Sequence, residues 1–297
     1  MVEDIEKWRK AGRISSEALQ HGVSLIKKGV PVIEVCDAVD AKIIRLGGRP
    51  SFPAQISLDH IAAHYCCPHE DKTILENQVA KLDVGAHIDG IPGDNAATID
   101  LSGRNGDLVR AARQALDEAI KIVKPGVRLS EIGSAIQAEI TSYGFAPIRN
   151  LSGHGIGKFE LHSAPTVPNF NNNDPMQLEA GQVIAIEPFA TTGEGVIVEA
   201  SSAEVFMQTA RKPVRDMGAR QVLAEIETYQ KLPFAKRWLI RKFPAIKVEL
   251  ALRQLQMAGA VQGFPPLVER ARGLVSQAEH TILITDSGCE VLTRPTE

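Results

Sequence analysis

Apolar residues recur at helical spacing in two stretches of the chain that resemble one another. Ile5, Trp8, Val23 and Ile26 mark the first, and Leu108, Ala112, Ala115, Ala119 and Ile122 the second; each stops at a glycine with a proline nearby. A second helix follows each, running from Glu34 to Gly47 and from Glu131 to Gly144. Displaced by 97 residues, Ala18-Leu19, Lys27-Lys28-Gly29-Val30, Glu34-Val35 and Ala38-Val39 overlie Ala115-Leu116, Lys124-Pro125-Gly126-Val127, Glu131-Ile132 and Ala135-Ile136. A weaker echo at a displacement of 104 sets Gln78-Val79-Ala80-Lys81-Leu82-Asp83 against Gln182-Val183-Ile184-Ala185-Ile186-Glu187, in both cases a strand that ends on a carboxylate. The pattern predicts two duplicated halves facing each other across a pseudo-two-fold, each delivering an acid to the centre.

Alternation predicts where further acids point. Val79 to Asp94 reads as two strands around an Asp89-Gly90 turn, which sets Asp83 opposite residue 96 and leaves Asp94 two positions away on the same face. His87 shares that face and is a candidate support for the acids. Asn150 to Gly157 embeds His154 among glycines, which would let the backbone crowd close to whatever the imidazole binds. Val183, Ala185 and Glu187 share one strand face, and Pro188 ends the pairing. In the last hairpin, which turns at Asp286-Ser287-Gly288, Glu279 groups with Thr281 and Leu283, and His280 with Ile282 and Ile284. Four carboxylates, Asp83, Asp94, Glu187 and Glu279, balance two divalent ions, with neutral His154 completing the ligands. Oxygen-rich ligation with one histidine suits Mn, Fe(II), Co or Zn in a pair about 3.5–4 Å apart. His60 and His64, four apart on what reads as a helical turn, imitate a zinc helix, but Ile61 stands where that motif needs a glutamate.

Composition narrows the class. With 44% apolar and 23% charged residues and a net charge of -3 over 297 residues, the chain reads as soluble and globular, which excludes disorder, collagen and coiled coil. No apolar run reaches the roughly 18–20 residues that cross a bilayer, and the start, Val2 to Lys7, is too charged for a secretory leader, so the expected location is the cytoplasm. Cys36, Cys66, Cys67 and Cys289 lack C-x-x-C spacing and are read as free thiols, with Cys66-Cys67 near the expected pocket mouth. Near-neutral charge gives no reason for nucleic-acid binding by the chain as a whole. The exception is local: residues 205–268 match neither half and are basic between Arg211 and Arg253, with helical runs at Ala219–Leu232 and Val248–Met257. This reads as an inserted helical subdomain, its charge either a solvated helical face or a weak patch for RNA, the ribosome or an acidic partner.

At these residues the sequence resembles the type 2 methionine aminopeptidases, a family of pita-bread metallopeptidases, in the short archaeal-style form. The resemblance spans the chain and is carried by Ala62-Ala63-His64-Tyr65, Lys81-Leu82-Asp83-Val84-Gly85, Asp94, Gly153-His154-Gly155-Ile156-Gly157, His162, Ile186-Glu187-Pro188-Phe189, Phe264-Pro265-Pro266-Leu267 and Glu279-His280-Thr281-Ile282. It implies an α+β pita-bread fold: duplicated α/β halves around a mostly antiparallel curved sheet with pseudo-two-fold symmetry. Residues 1–204 plus 269–297 would form the catalytic domain, and 205–268 an insertion of winged-helix character. The five metal ligands of the family fall on Asp83, Asp94, His154, Glu187 and Glu279. Its auxiliary histidines fall on His64 and His162, its proton shuttle on Glu187, and its methionine pocket on Phe52, His64 and Phe264. The implied activity is removal of the initiator methionine from peptides and nascent chains when the second residue is small, by a monomer with no membrane or specific nucleic-acid partner and the ribosome as a candidate partner. The competing readings are a proline-directed peptidase of the same fold and a non-catalytic ribosome- or RNA-binding relative.

Overall fold

In a computed structural model the chain is described over residues 4–200 and 202–295, so Val2 and Glu3 of the charged start lie outside the described residues. The first half begins with helices α1 (Ile5–Leu25) and α2 (Val32–Arg45), followed by strands β1 (Arg49–Pro50), β2 (Gln55–Leu58) and β3 (Ile61–Ala63) and the hairpin β4 (Val79–Ile88) and β5 (Ile91–Asp100). The second half repeats the opening with α3 (Gly106–Ile122), α4 (Leu129–Ser142) and β6 (Ala146–Pro147). Strands β7 (Ser152–Gly157), β8 (Glu160–Pro168), β9 (Val183–Ile186), β10 (Phe189–Thr191) and β11 (Ile197–Glu199) follow. The duplication extends to single bonds. Gly29 and Gly126 both sit at φ 85, in the left-handed region open to glycine. The Gly29 N–H donates to Leu75 at 2.7 Å and the Gly126 N–H to Leu178 at 2.8 Å.

From residue 205 the chain builds the insertion: β12 (Val205–Gln208), α5 (Met217–Ile226), β13 (Phe234–Ala235), α6 (Lys236–Ile240), α7 (Ala245–Met257) and β14 (Val261–Phe264). It returns through β15 (Leu267–Glu269), β16 (Val275–Gln277), β17 (Glu279–Ile284) and β18 (Cys289–Val291). The main sheet has nine antiparallel strands in the order β1-β4-β5-β17-β9-β7-β8, with β2 on β4 and β18 on β17. The returning strand β17 therefore joins the two halves.

Period-2 alternation divides this sheet into two faces. Ala80, Leu82, Val84 and Ala86 pack beneath α1 and α2, while Ile184, Ile186, Ile282 and Ile284 pack beneath α3 and α4. Fully burying one such side chain contributes about 1.5–3 kcal/mol, so a one-residue slip of register is strongly disfavoured. The opposite face carries the acids, and beside them Val183, Ala185 and Leu283 pack with Trp8 and Leu292. The Asp89-Gly90 turn forms as expected, with both residues at positive φ and Asp83 opposite Ala96.

The insertion has its own core, in which Val222, Ile226, Phe234, Leu239, Val248 and Leu255 are buried. The first of its predicted helices ends early: α5 stops at Ile226, and a 3-10 turn, Glu227–Tyr229, precedes the left-handed Gln230 and Lys231, whereas α7 starts three residues before the predicted Val248. A three-stranded sheet of β13, β12 and β14, not read from the sequence, packs with these helices. A buried clamp ties α6 to the body: Arg237 donates to Asp40 at 3.0 Å and to the Cys66 sulfur at 2.6 Å, and Trp238 Nε1–H donates to Asp40 at 3.0 Å. Cys66 and Cys67 are thus buried beside this clamp, and Cys66 packs against Val205 and Phe264, behind one wall of the pocket expected there. Ion pairs also absorb part of the basic run, with Lys236 on Glu204 and Glu249, Arg241 on Asp37, and Lys242 on Glu225.

Three local expectations are corrected. His60 and His64 flank strand β3, whose main chain pairs with β15 across the insertion, so no helix forms there. The glycines beside His154 crowd neighbouring strands instead of a ligand. A Cβ on Gly153 would lie 2.2 Å from the Ala185 carbonyl oxygen, and one on Gly155 would lie 2.0 Å from that of Ala164. His87 supports its own turn: its Nδ1 accepts the Gly90 N–H at 3.0 Å and its ring meets Phe159, which leaves no role beside the acids.

Candidate active site

The acid-bearing face of the sheet borders a cavity of about 680 Å³, and all of the candidate site residues line it: Phe52, His64, Asp83, Asp94, His154, His162, Glu187, Phe264 and Glu279. Asp83 and Asp94 come from the β4–β5 hairpin, His154 from β7, Glu187 from the end of β9, and Glu279 from the start of β17. Ligand atoms of Asp94, His154 and Glu279 all lie within 4.8 Å of one another. His154 Nε2 stands 3.8 Å from both Asp94 and Glu187. Gln277 joins the rest, since its side-chain amide donates to Glu187 at 3.4 Å and also bonds Asp83. Glu187 reaches the site because Pro188 breaks the main sheet there and β10 leaves to pair with β16.

Electrostatics make this assembly costly without a cation. Burial pushes the Asp83 carboxyl up to about 7 despite its bond to Gln277. Burial, and then repulsion from neighbouring acids, raises Asp94, Glu187 and Glu279 well above the usual carboxylate range. Asp83 Oδ1 and Asp94 Oδ1 are buried without a hydrogen-bond partner among the described residues, a state that costs about 1–3 kcal/mol or more for each charged atom. Burial, helped by His162, lowers His154 to about 3, so its imidazole is neutral. Its Nδ1 lies 3.1 Å from the Gly155 carbonyl, which assigns the proton to Nδ1 and a free lone pair to Nε2. Four clustered carboxylates, unpartnered oxygens and one imidazole lone pair fit a site for hard or borderline divalent cations.

The two remaining histidines occupy the cavity wall. His162 on β8 lies edge-on to His154, with ring centroids 4.3 Å apart. His64 leaves β3 at φ 63, a left-handed conformation uncommon outside glycine, and its ring meets Phe264 edge-on at 6.1 Å. Burial lowers the pKa of both, His64 to about 4. Both are therefore neutral near pH 7 and can donate or accept. Sequence reasoning missed Gln277, although its place two residues before Glu279, at the end of β16 where the chain crosses into β17, was a usable signal. Lys81 was noted only as part of a motif. It is fully buried on the site's face, with its ammonium bonded to the carbonyls of Asp59 and Val275.

These shifts predict how metal and pH act together. In the metal-free folded protein the site carboxyls hold protons that the unfolded chain has released above about pH 4–5, so their contribution to stability falls as pH rises through their folded pKa values. Lys81 acts in the opposite sense, because burial lowers its pKa to about 7 and the folded state binds fewer protons above that value than the unfolded chain does. The difference between metal-free and metal-loaded protein isolates the site. The rise in Tm on adding Mn(II) to chelator-treated protein is expected to be larger near pH 8 than near pH 6.5, as ligands shed protons to bind. Thermal melts at the two values test this, and a smaller rise at the higher pH would count against the cluster as the binding site.

A model of metallopeptidase family M24 matches residues 6–286. A methionine aminopeptidase of Thermococcus onnurineus is 43% identical over 98% of this chain and 100% of its own length. One from Archaeoglobus fulgidus is 44% identical over 97% and 98%. Among solved structures, a methionine aminopeptidase from Thermotoga maritima superimposes with a TM-score of 0.73 at 25% identity, over 99% of this chain and 98% of that one. With its pita-bread body and full-length kinship to curated methionine aminopeptidases, the chain belongs to metallopeptidase family M24.

Proposed function

We propose that this chain is a dinuclear-metal methionine aminopeptidase, which removes the N-terminal methionine from peptides and nascent chains when the second residue is small. The convergence of Asp83, Asp94, His154, Glu187 and Glu279 on one cavity carries this reading. These five would hold two divalent ions which, when bound, supply Lewis acidity at the scissile carbonyl and bring the pKa of water to about 7.

The protein's own groups do the rest. Glu187, largely buried and held by Gln277, takes the proton of the attacking water and passes it to the leaving amine nitrogen. His162 and His64, both neutral, bond the scissile peptide, one stabilising the developing oxyanion and the other steadying the amide nitrogen. Asp94 receives the free α-amine, which restricts cleavage to the first residue. Phe52, His64 and Phe264 enclose the methionine side chain, where sulfur against a ring edge gains about 0.3–1.5 kcal/mol.

His64 and His162 also bound the space for the second residue. Met-Ala peptides are expected to be cleaved at least about tenfold more efficiently than Met-Trp peptides, a difference of about 1.4 kcal/mol in transition-state binding. Competition between Met-Ala-Ser, Met-Trp-Ser and an Xaa-Pro peptide tests the reading: equal rates on the first two would remove the pocket assignment, and preference for Xaa-Pro would replace the activity with a proline-directed one.

A further inference from the structure

The seam between β5 and β17, where the two halves meet, carries a short backbone ladder: Glu279 faces Ala96 and His280 faces Asn95. Continued in both directions, that register sets Thr281 opposite Asp94 and Gln277 opposite Thr98. At both places a threonine hydroxyl stands between the strands. The Asp94 N–H donates to Thr281 Oγ1 at 2.7 Å, and the same hydroxyl donates to the Asp94 carbonyl at 2.8 Å. The Gln277 N–H donates to Thr98 Oγ1 at 2.8 Å, and that hydroxyl donates to the Gln277 carbonyl at 2.6 Å. The arrangement is exchanged across the seam, with the threonine on β17 at one end and on β5 at the other.

Each hydroxyl uses its proton and a lone pair on the main chain of the residue opposite, and so fixes the spacing of the strands by the length of a side chain. Thr281 is itself immobilised. It is fully buried, and its N–H donates at 3.1 Å to Thr293 Oγ1, which also meets His280 Nδ1 at 2.9 Å. Asp94, by contrast, has a carboxylate oxygen with no hydrogen-bond partner among the described residues. Its aim therefore depends on its main chain, and along this seam that main chain is held by Thr281.

We propose that Thr281 is a positioning residue, which fixes the distance between Asp94 and Glu279 and so the fit of the divalent ion that these two can share with His154. This rests on the two-metal reading above. Groups that orient metal ligands typically change affinity by about 10–100-fold when lost.

The test is calorimetric titration of the chelator-treated full chain with Mn(II). Wild type is expected to take two ions. Thr281→Val keeps shape but removes the hydroxyl, and is expected to weaken one of the two sites at least about tenfold. Thr281→Ser restores the bridge and is expected to bind within about threefold of wild type. Thr281→Ala gives the same reading as valine if the valine variant does not fold. Thr293→Val removes the hydroxyl that accepts the Thr281 N–H but leaves the Thr281–Asp94 bridge, so it is expected to lower Tm and to weaken metal binding clearly less than Thr281→Val does. Wild-type binding by Thr281→Val, failure of serine to rescue, or an equal loss in Thr293→Val would each overturn the proposal. A wild-type protein that takes one ion would remove the two-metal reading, and this inference with it.

Discussion

Glu187→Gln is expected to lower kcat on Met-Ala-Ser by about 10²–10⁴-fold, the range for loss of a positioned proton acceptor and donor. The substitution preserves size, so no core packing changes. It also removes one of four mutually repelling carboxyls, whose repulsion with Asp83 helps to raise Glu187. The metal-free variant is therefore expected to melt no lower than the metal-free wild type, whereas the metal-loaded variant, having lost a proposed ligand, is expected to melt lower than its parent. Methionine release and paired melts with and without chelator separate chemistry from folding. Turnover within tenfold of wild type with metal bound would withdraw both roles assigned to Glu187.

Asp40→Ala is expected to cost about 3–5 kcal/mol, the largest single-residue loss of stability we anticipate outside the site. Arg237 is fully buried, and Asp40 takes a hydrogen bond from its guanidinium, from the Trp238 indole and from the Ala54 N–H. Removing the carboxylate leaves a buried cation with Asp37, 3.5 Å away, as its remaining carboxylate neighbour among the described residues. Burial pushes Asp40 up to about 6 even against these donors, which shows how strongly the pocket disfavours charge. The double variant Asp40→Ala with Arg237→Met is expected to be more stable than the single one, since an apolar replacement of a buried pair is often neutral or stabilising. Urea denaturation of the three proteins tests this; a single variant that loses less than about 1 kcal/mol would mean that the insertion is held by other contacts.

How far the sequence carried depended on the range of the interactions involved. The helix pairs, the Asp89-Gly90 turn and the Asp83 register rest on local periodicity and turn chemistry, and each was legible. The opposite faces of Glu279 and His280 followed from alternation alone. The gathering of distant strands was not spelled out by any local rule: it came from the internal repeat, from charge arithmetic and from resemblance. The failures share one cause. His60 to His64 reads as a helical turn because the strand it pairs with, β15, comes some 200 residues later. The glycines beside His154 look like room for a ligand until Ala185 and Ala164 are seen against them. The clamp of Arg237, Asp40 and Cys66 joins residues with no shared pattern at all.

The place of β17 in the sheet sets the order in which the molecule can be built. It lies between β5 and β9, yet it is made after both, once the whole insertion has been synthesised. Until it arrives, the two halves expose inner strand edges to solvent and to each other, a condition that invites intermolecular pairing. Refolding is therefore expected to be slow and concentration-sensitive at the final docking of this strand, and a chain cut short before residue 279 can fold parts of both lobes without ever acquiring a competent hydrolytic centre.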